Sequence, residues 1–142
     1  MDPISAVGLA SAIVAIIDFS WKLVTGTWEI HQSLEGITVE NGHLEDVMGR
    51  LESLMQALQA DIPIKTAAEW NIQRLAKECK EDAEILRALL MEMKVPGRRR
   101  SLLKSLDAKW KSILNKHEVA QLKTRIQESR DDIQMNLIAL LK

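Results

Sequence analysis

Apolar residues recur along this chain at three- and four-residue intervals, and no run of alternating apolar and polar residues marks a strand. The pattern is densest at the start, where positions 3 to 17, between Asp2 and Asp18, carry no charge. Asp2-Pro3 reads as a helix start: an Asp N-cap accepts from free backbone N–H groups, and proline at the first helical position lacks a donor that has no partner there. A helix carrying Ile4, Val7, Leu9, Ile13, Val14, Ile16 and Ile17 is apolar on nearly every face. It is either the central helix of a bundle or a segment that enters a membrane. It is expected to run from Pro3 to about Ser33, with Gly26 as a candidate kink and Gly36 free to take the left-handed cap conformation. Small residues four apart, Ala6/Ala10, Gly8/Ala12 and Ser11/Ala15, suit close helix approach in a bundle core or in a membrane.

Four further stretches read as helices. Thr38 or Asn41 starts the second, whose stripe is Leu44, Val47, Met48, Leu51, Leu54, Met55 and Leu58, with Glu45, Asp46, Arg50, Glu52 and Gln56 opposite. Asp61-Ile62-Pro63 stops it. Thr66 and Glu69 form a capping box for the third helix, in which Ile72, Leu75, Ala76, Cys79, Ala83, Leu86, Leu89, Leu90 and Met93 face inward. Val95-Pro96-Gly97 ends that helix. Leu102, Leu103, Leu106, Trp110 and Ile113 mark a shorter fourth helix, and Asn115 to Glu118 reads as a second capping box. The last helix presents Val119, Leu122, Ile126, Ile133, Leu137 and Leu140.

Short turns between helix-period stripes favour antiparallel neighbours. The expectation is an all-α fold in which residues 1–142 form a single helical bundle of four to five helices around the apolar N-terminal helix. Composition agrees: 46% hydrophobic and 27% charged are globular values, and 4% aromatics with three prolines favour helix over sheet. A constitutive membrane span is disfavoured. Fifteen residues rise about 22 Å against a hydrocarbon core of roughly 30 Å. Extension to Val24 supplies the length but takes in Asp18 and Lys22, which are four apart and able to pair. Asp2, where a signal peptide would carry basic residues, argues against a secretory leader. The lone Cys79 cannot form an internal disulfide, which suits a reducing compartment. The expected resting state is soluble and cytoplasmic.

Catalytic chemistry finds no foothold. There is no phosphate-cradling glycine loop and no His-Glu-x-x-His pair. His31, His43 and His117 are scattered among polar neighbours and lack ligand spacing. Cys79 sits on an apolar stripe with no basic cluster to activate it, and the run Glu78, Glu81, Asp82, Glu84 reads as a solvated helix face. No catalytic residue, cofactor or metal is expected.

Charge, by contrast, is unevenly placed. Residues 1–92 carry a net −8, residues 93–117 a net +7, and residues 118–142 balance. Arg98, Arg99, Arg100 and Lys104 form the centre of the basic stretch. They are candidates for contact with anionic membrane lipids, worth roughly 1 kcal/mol per basic residue near the surface. Pairing with acidic helices of the same bundle accounts for them equally well. Nucleic acid is disfavoured by the overall charge of −1 and by the lack of a recognition motif.

The run from Met1 to Val14, then Ile17-Asp18-Phe19, Trp21 to Val24, and Glu40 to Val47 resembles the HeLo-like domains of fungi. The similarity continues in Trp110-Lys111 and from Glu118-Val119 to the end, so it covers essentially the whole chain. Such domains stand in front of NACHT-type STAND receptors, the fungal counterparts of NOD-like receptors. The resemblance implies a helical bundle that acts as a signalling or cell-death execution module downstream of receptor oligomerisation. It also implies a NOD-like receptor or other signalling protein as partner and self-association on activation. Related domains target membranes and resemble the killer bundle of mixed-lineage kinase domain-like proteins. Carried onto this chain, the membrane-insertion candidates are Ile4, Val7, Leu9, Ile13, Val14, Ile16 and Ile17, with relocation from cytoplasm to membrane on activation. No NTPase or repeat region follows within the 142 residues, so the chain is expected to be an excised domain or a short stand-alone protein. The competing class is a soluble interaction module that never meets lipid.

Overall fold

The computed structural model describes residues 5–25, 37–92 and 112–141, with backbone alone for 37–44. Four long helices carry the fold: α1 (Ala6–Val24), α2 (Ile37–Ala57), α3 (Ala67–Met91) and α4 (His117–Leu140). A further helical turn lies at 112–114 and buries Ile113. Among the described residues there is no strand. The protein is an all-helical bundle with an apolar N-terminal helix, as the periodicity predicts.

Local chemistry sets the helix ends. Ser5, in extended conformation, is the N-cap of α1, and its side-chain oxygen accepts from the Gly8 N–H at 3.1 Å. The expected start at Asp2-Pro3 lies outside the described residues; serine supplies the cap oxygen where the described helix begins. α1 closes at Val24, not near Ser33. The Thr25 N–H and hydroxyl both donate to the Trp21 carbonyl, at 3.0 and 2.7 Å, so the threonine satisfies its own helix end. The proposed kink at Gly26 and cap at Gly36 lie outside the described residues. α2 begins at Ile37, just before Thr38 and well before Asn41, and gives way at Ala57 to turns closed by Leu58 and Gln59.

The capping box of α3 is present in full: Thr66 accepts from the Glu69 N–H at 3.3 Å and Glu69 accepts from the Thr66 N–H at 2.9 Å. α3 ends at Met91, before the expected stop at Val95-Pro96-Gly97, which lies outside the described residues. The second box fails. Lys116 is the N-cap of α4 and makes no side-chain cap bond. The break falls one residue beyond Asn115, which puts a side chain without an acceptor at the cap.

α1 and α3 each pack against every other long helix, while α2 and α4 meet little through their described residues. The core is one cluster. It takes Leu9, Ile13, Ile16 and Leu23 from α1, Val47 and Leu51 from α2, Ile72, Leu75, Leu86 and Leu90 from α3, and Val119, Leu122 and Ile133 from α4. These are the predicted stripes. Leu54, Leu137 and Leu140 are only partly buried, whereas Met93, Leu102, Leu103, Leu106, Trp110 and the Leu44 side chain lie outside the described residues.

Polar contacts fix the helix directions. Arg87 donates to Glu52 at 2.7 Å between α2 and α3. Gln73 holds the connecting loop from both ends of its amide, donating to the Ala60 carbonyl and accepting from the Ile62 N–H, each at 3.0 Å. Asn71 to Asn136 (3.2 Å), Arg125 to Asp82 (2.8 Å) and Lys116 to Glu92 (3.3 Å) align α3 and α4 antiparallel.

Leu51 and Leu86 are both fully buried in this cluster. Leu51→Ala and Leu86→Ala should each lower stability by about 2–5 kcal/mol in urea titrations followed by circular dichroism, with a cooperative, predominantly helical melt. Losses under about 0.5 kcal/mol at both sites would place the stripes on the wrong faces.

Candidate functional site

α1 divides its apolar residues between two environments. Leu9, Ile13, Ile16 and Ile17 are buried, whereas Val7 and Val14 are 44% and 43% exposed. They sit seven residues apart and, with Ser11, Ala15, Asp18 and Lys22, form an exposed stripe along the helix. The expectation of a central helix with the bundle around it is therefore corrected for the described residues: α1 is a core helix on one side and a surface helix on the other. The physical reason is that α2, α3 and α4 do not close around its full circumference, and valine with small and charged neighbours tolerates the open side. The small-residue pairs divide likewise. Ala6 and Ala10 are buried, while Ser11 and Ala15 face outward. Asp18 and Lys22 form the expected pair at 3.4 Å, with both side chains more than half exposed, so it adds little stability. Ile4 and the basic candidates Arg98, Arg99, Arg100 and Lys104 lie outside the described residues.

Beneath the buried face of α1 runs a polar seam that the sequence pattern did not reveal. Ser20 from α1, Cys79 from α3 and Ser129 from α4 are each at least nine-tenths buried and line one narrow cleft with Ile16, Ile17 and Ile126. Cys79 and Ser129 share a side-chain hydrogen bond. Burial pushes the Cys79 thiol up to about 12 against the pull of that bond, and the negative charges of Asp82 and Glu78 add to the rise. The reading of Cys79 as a buried structural thiol fits this environment.

Asp82 departs from its expected role on a solvated face. Its side chain is only 14% exposed, and its carboxylate accepts from Arg125 Nε at 2.8 Å. Burial raises its pKa, Arg125 opposes the rise, and Glu78 and Glu81 reinforce it. A helical-wheel reading could have found this residue: Asp82 is three residues beyond Cys79 and one before Ala83, at the edge of the apolar stripe.

Beside the seam, and sharing Asp82 and Ser129 with it, a groove of about 470 Å³ opens between α3 and α4, with Ile85 in its lining. Five carboxylates and two guanidiniums line it, a net charge of −3. Arg74 is engaged by Glu78 at 2.7 Å and Arg125 by Asp82.

The fold and the site define a helical module whose distinguishing features are helix faces and a three-helix polar seam. Residues 10–133 match the SesA family, an N-terminal domain on NACHT NTPases and P-loop NTPases. The chain belongs to that family, which agrees with the expected place in front of a NACHT-type NTPase. No curated protein matches it, and no solved structure does.

The Asp82 shift has a definite sign. A carboxyl whose pKa is raised by folding contributes most below its unfolded pKa, and that contribution is lost as pH rises through the folded pKa. Asp82→Asn should therefore melt no lower than wild type at neutral pH, with its relative advantage growing in thermal melts taken from acid to neutral pH. Arg125→Ala, which leaves the carboxylate without its donor, should cost about 1–3 kcal/mol. An Asp82→Asn penalty that grows with pH would reverse the assignment.

Proposed function

We propose that this chain is the N-terminal effector module of a STAND-type receptor system and that, on oligomerisation, α1 leaves the bundle and enters a membrane. In this reading it is a HeLo-like execution domain of fungal cell-death signalling, cytoplasmic at rest and membrane-bound when active. Membership of a family found on NACHT NTPases supports the receptor context. The observation that carries the membrane step is α1 itself. Its 19 residues are long and apolar enough to cross a bilayer, yet half of its most apolar window is buried in the bundle. At 1.5 Å per residue it spans about 28 Å, close to the roughly 30 Å hydrocarbon core.

The energetics make the step conditional. Asp18 lies toward one end of the helix, where Lys22 pairs with it, so its cost in lipid falls below the roughly 2.5–3.5 kcal/mol of a mid-membrane aspartate. Exit also strips the stripes of α2, α3 and α4 of a shared partner. A monomer is therefore expected to stay closed, with the outward Ser11/Ala15 face available for α1–α1 packing once several copies gather. The cluster of Arg98, Arg99, Arg100 and Lys104 is the candidate contact for anionic head groups in this reading.

The exposed valines supply a test that spares the fold. Val14→Asp, on the open side of α1, should shift stability by less than about 0.5 kcal/mol. It should also abolish dye leakage from phosphatidylserine liposomes by artificially oligomerised protein, as should deletion of residues 1–3 combined with Ile4→Ser. Leakage by wild-type oligomers but not by monomer is the expected pattern. If oligomers leak no dye, or if leakage survives every change within residues 4–17, the soluble interaction-module reading replaces the membrane mechanism.

A further inference from the structure

The groove between α3 and α4 is not a closed structural detail. Its two arginines are engaged, which leaves Glu81, Glu128 and Asp132 without a basic partner among the described residues. The groove also leads to exposed apolar surface. Trp70 lies one turn before Arg74 on the same stripe of α3, with the Arg74 guanidinium 5.8 Å from its ring centre. Met135 lies one turn beyond Asp132 on α4. They are 55% and 69% exposed, and the Asn71–Asn136 hydrogen bond holds these turns side by side. The face is therefore acidic along its length and apolar at one end.

The chain contains a stretch of reciprocal pattern. Residues 98–111 carry six basic residues against Asp107, a net +5, with Leu102, Leu103, Leu106 and Trp110 at spacings of three and four. We propose that the α3/α4 groove of one copy receives residues 98–111 of a second copy. The proposal rests on the reading that the module works as an assembly, and not on membrane entry.

Reach separates a chain's own stretch from its neighbour's at the apolar end of the groove, although the nearer carboxylates such as Glu81 lie within reach of both. Lys116 and Glu92 meet at 3.3 Å, so both ends of the stretch are anchored beside the C-terminus of α3. Trp70 lies 22 residues back along that helix, about 33 Å away. Ten residues at full extension, about 33–36 Å, would just carry Leu102 to that point. Trp110, two residues from Ser112, could not follow. A neighbouring copy has no such tether. Because groove and stretch are different surfaces of the molecule, the contact is head-to-tail and can propagate into a ring or filament.

The test is sedimentation equilibrium of the full 142-residue chain without lipid. Wild type should associate with increasing concentration. Raising salt from about 0.1 M to about 1 M, which shortens the screening length from about 10 Å to about 3 Å, should disperse it. Glu81→Lys/Glu128→Lys/Asp132→Lys and Arg98→Glu/Arg99→Glu/Arg100→Glu should each weaken association about tenfold or more, since like charges then face each other. Mixing the two variants should restore it. Trp70→Ala/Met135→Ala, which alters no charge, should weaken association while its melting temperature verifies the fold. A wild-type chain that stays monomeric overturns the proposal, and an accompanying expansion of both charge variants would assign the groove to the chain's own stretch. Association indifferent to both charge variants overturns it equally. So does a basic variant whose only defect is lost binding to phosphatidylserine vesicles. Leakage assays are separate, so loss of the membrane reading leaves this contact standing, and the reverse holds too.

Discussion

Burial of one stripe of α1 is the interaction on which the rest of the bundle depends. Among the described residues, Leu9, Ile13, Ile16 and Leu23 are four of the eleven largest fully buried side chains. At about 1.5–3 kcal/mol each they contribute roughly 6–12 kcal/mol, an upper figure because an unfolded chain already buries some apolar surface. That is the size of the whole net stability of a typical domain, about 5–15 kcal/mol. α1 cannot drift out and leave an intact three-helix remainder. Any functional exit has to be coupled to new surroundings for both parts, lipid or a neighbouring copy for the helix and replacement contacts for the stripes it abandons.

The open side of α1 qualifies the picture of a fully enclosed helix. Only the stripe centred on Ile13 is committed to the core, while Val7, Ser11 and Val14 already face outward. The same helix therefore presents a surface before any rearrangement. α2 and α3 are joined by specific polar contacts. Their shared turn is pinned by Gln73, and Arg87, near the C-terminus of α3, bridges to Glu52 in the last turns of α2. α3 is tied more extensively still to α4, through Asn71–Asn136, Asp82–Arg125 and Glu92–Lys116.

Most of the fold was legible because amphipathic stripes with a strict three-four rhythm leave little choice of buried face. Leu51, Leu75, Leu86, Ile126 and Ile133 all lie where periodicity puts them, and the Thr66–Glu69 box is a pattern with its mechanism built in. The failures share a cause. A cap rests on a single side-chain hydrogen bond, and backbone geometry decides which residue takes the position, as at Lys116 in place of Asn115. For α1, an almost wholly apolar sequence carries no rhythm that could reveal which side stays open. The seam of Ser20, Cys79, Asp82 and Ser129 was hidden for another reason. It joins residues from three helices, none of which is unusual within its own segment.

That seam has a consequence for the chemistry of the protein in time. Cys79 is the only cysteine in the chain, and burial holds its thiol at a pKa of about 12. Since only the thiolate attacks electrophiles, the closed bundle is silent to alkylating agents. One wall of its enclosure is α1, through Ile16, Ile17 and Ser20. Were that wall to leave, as the proposed membrane step requires, the desolvation that suppresses ionisation would leave with it, and the thiol would fall back toward the ordinary value of about 8.5. The molecule thus contains its own stopwatch: the rate at which a single native sulfur is capped measures the fraction of time the bundle spends open.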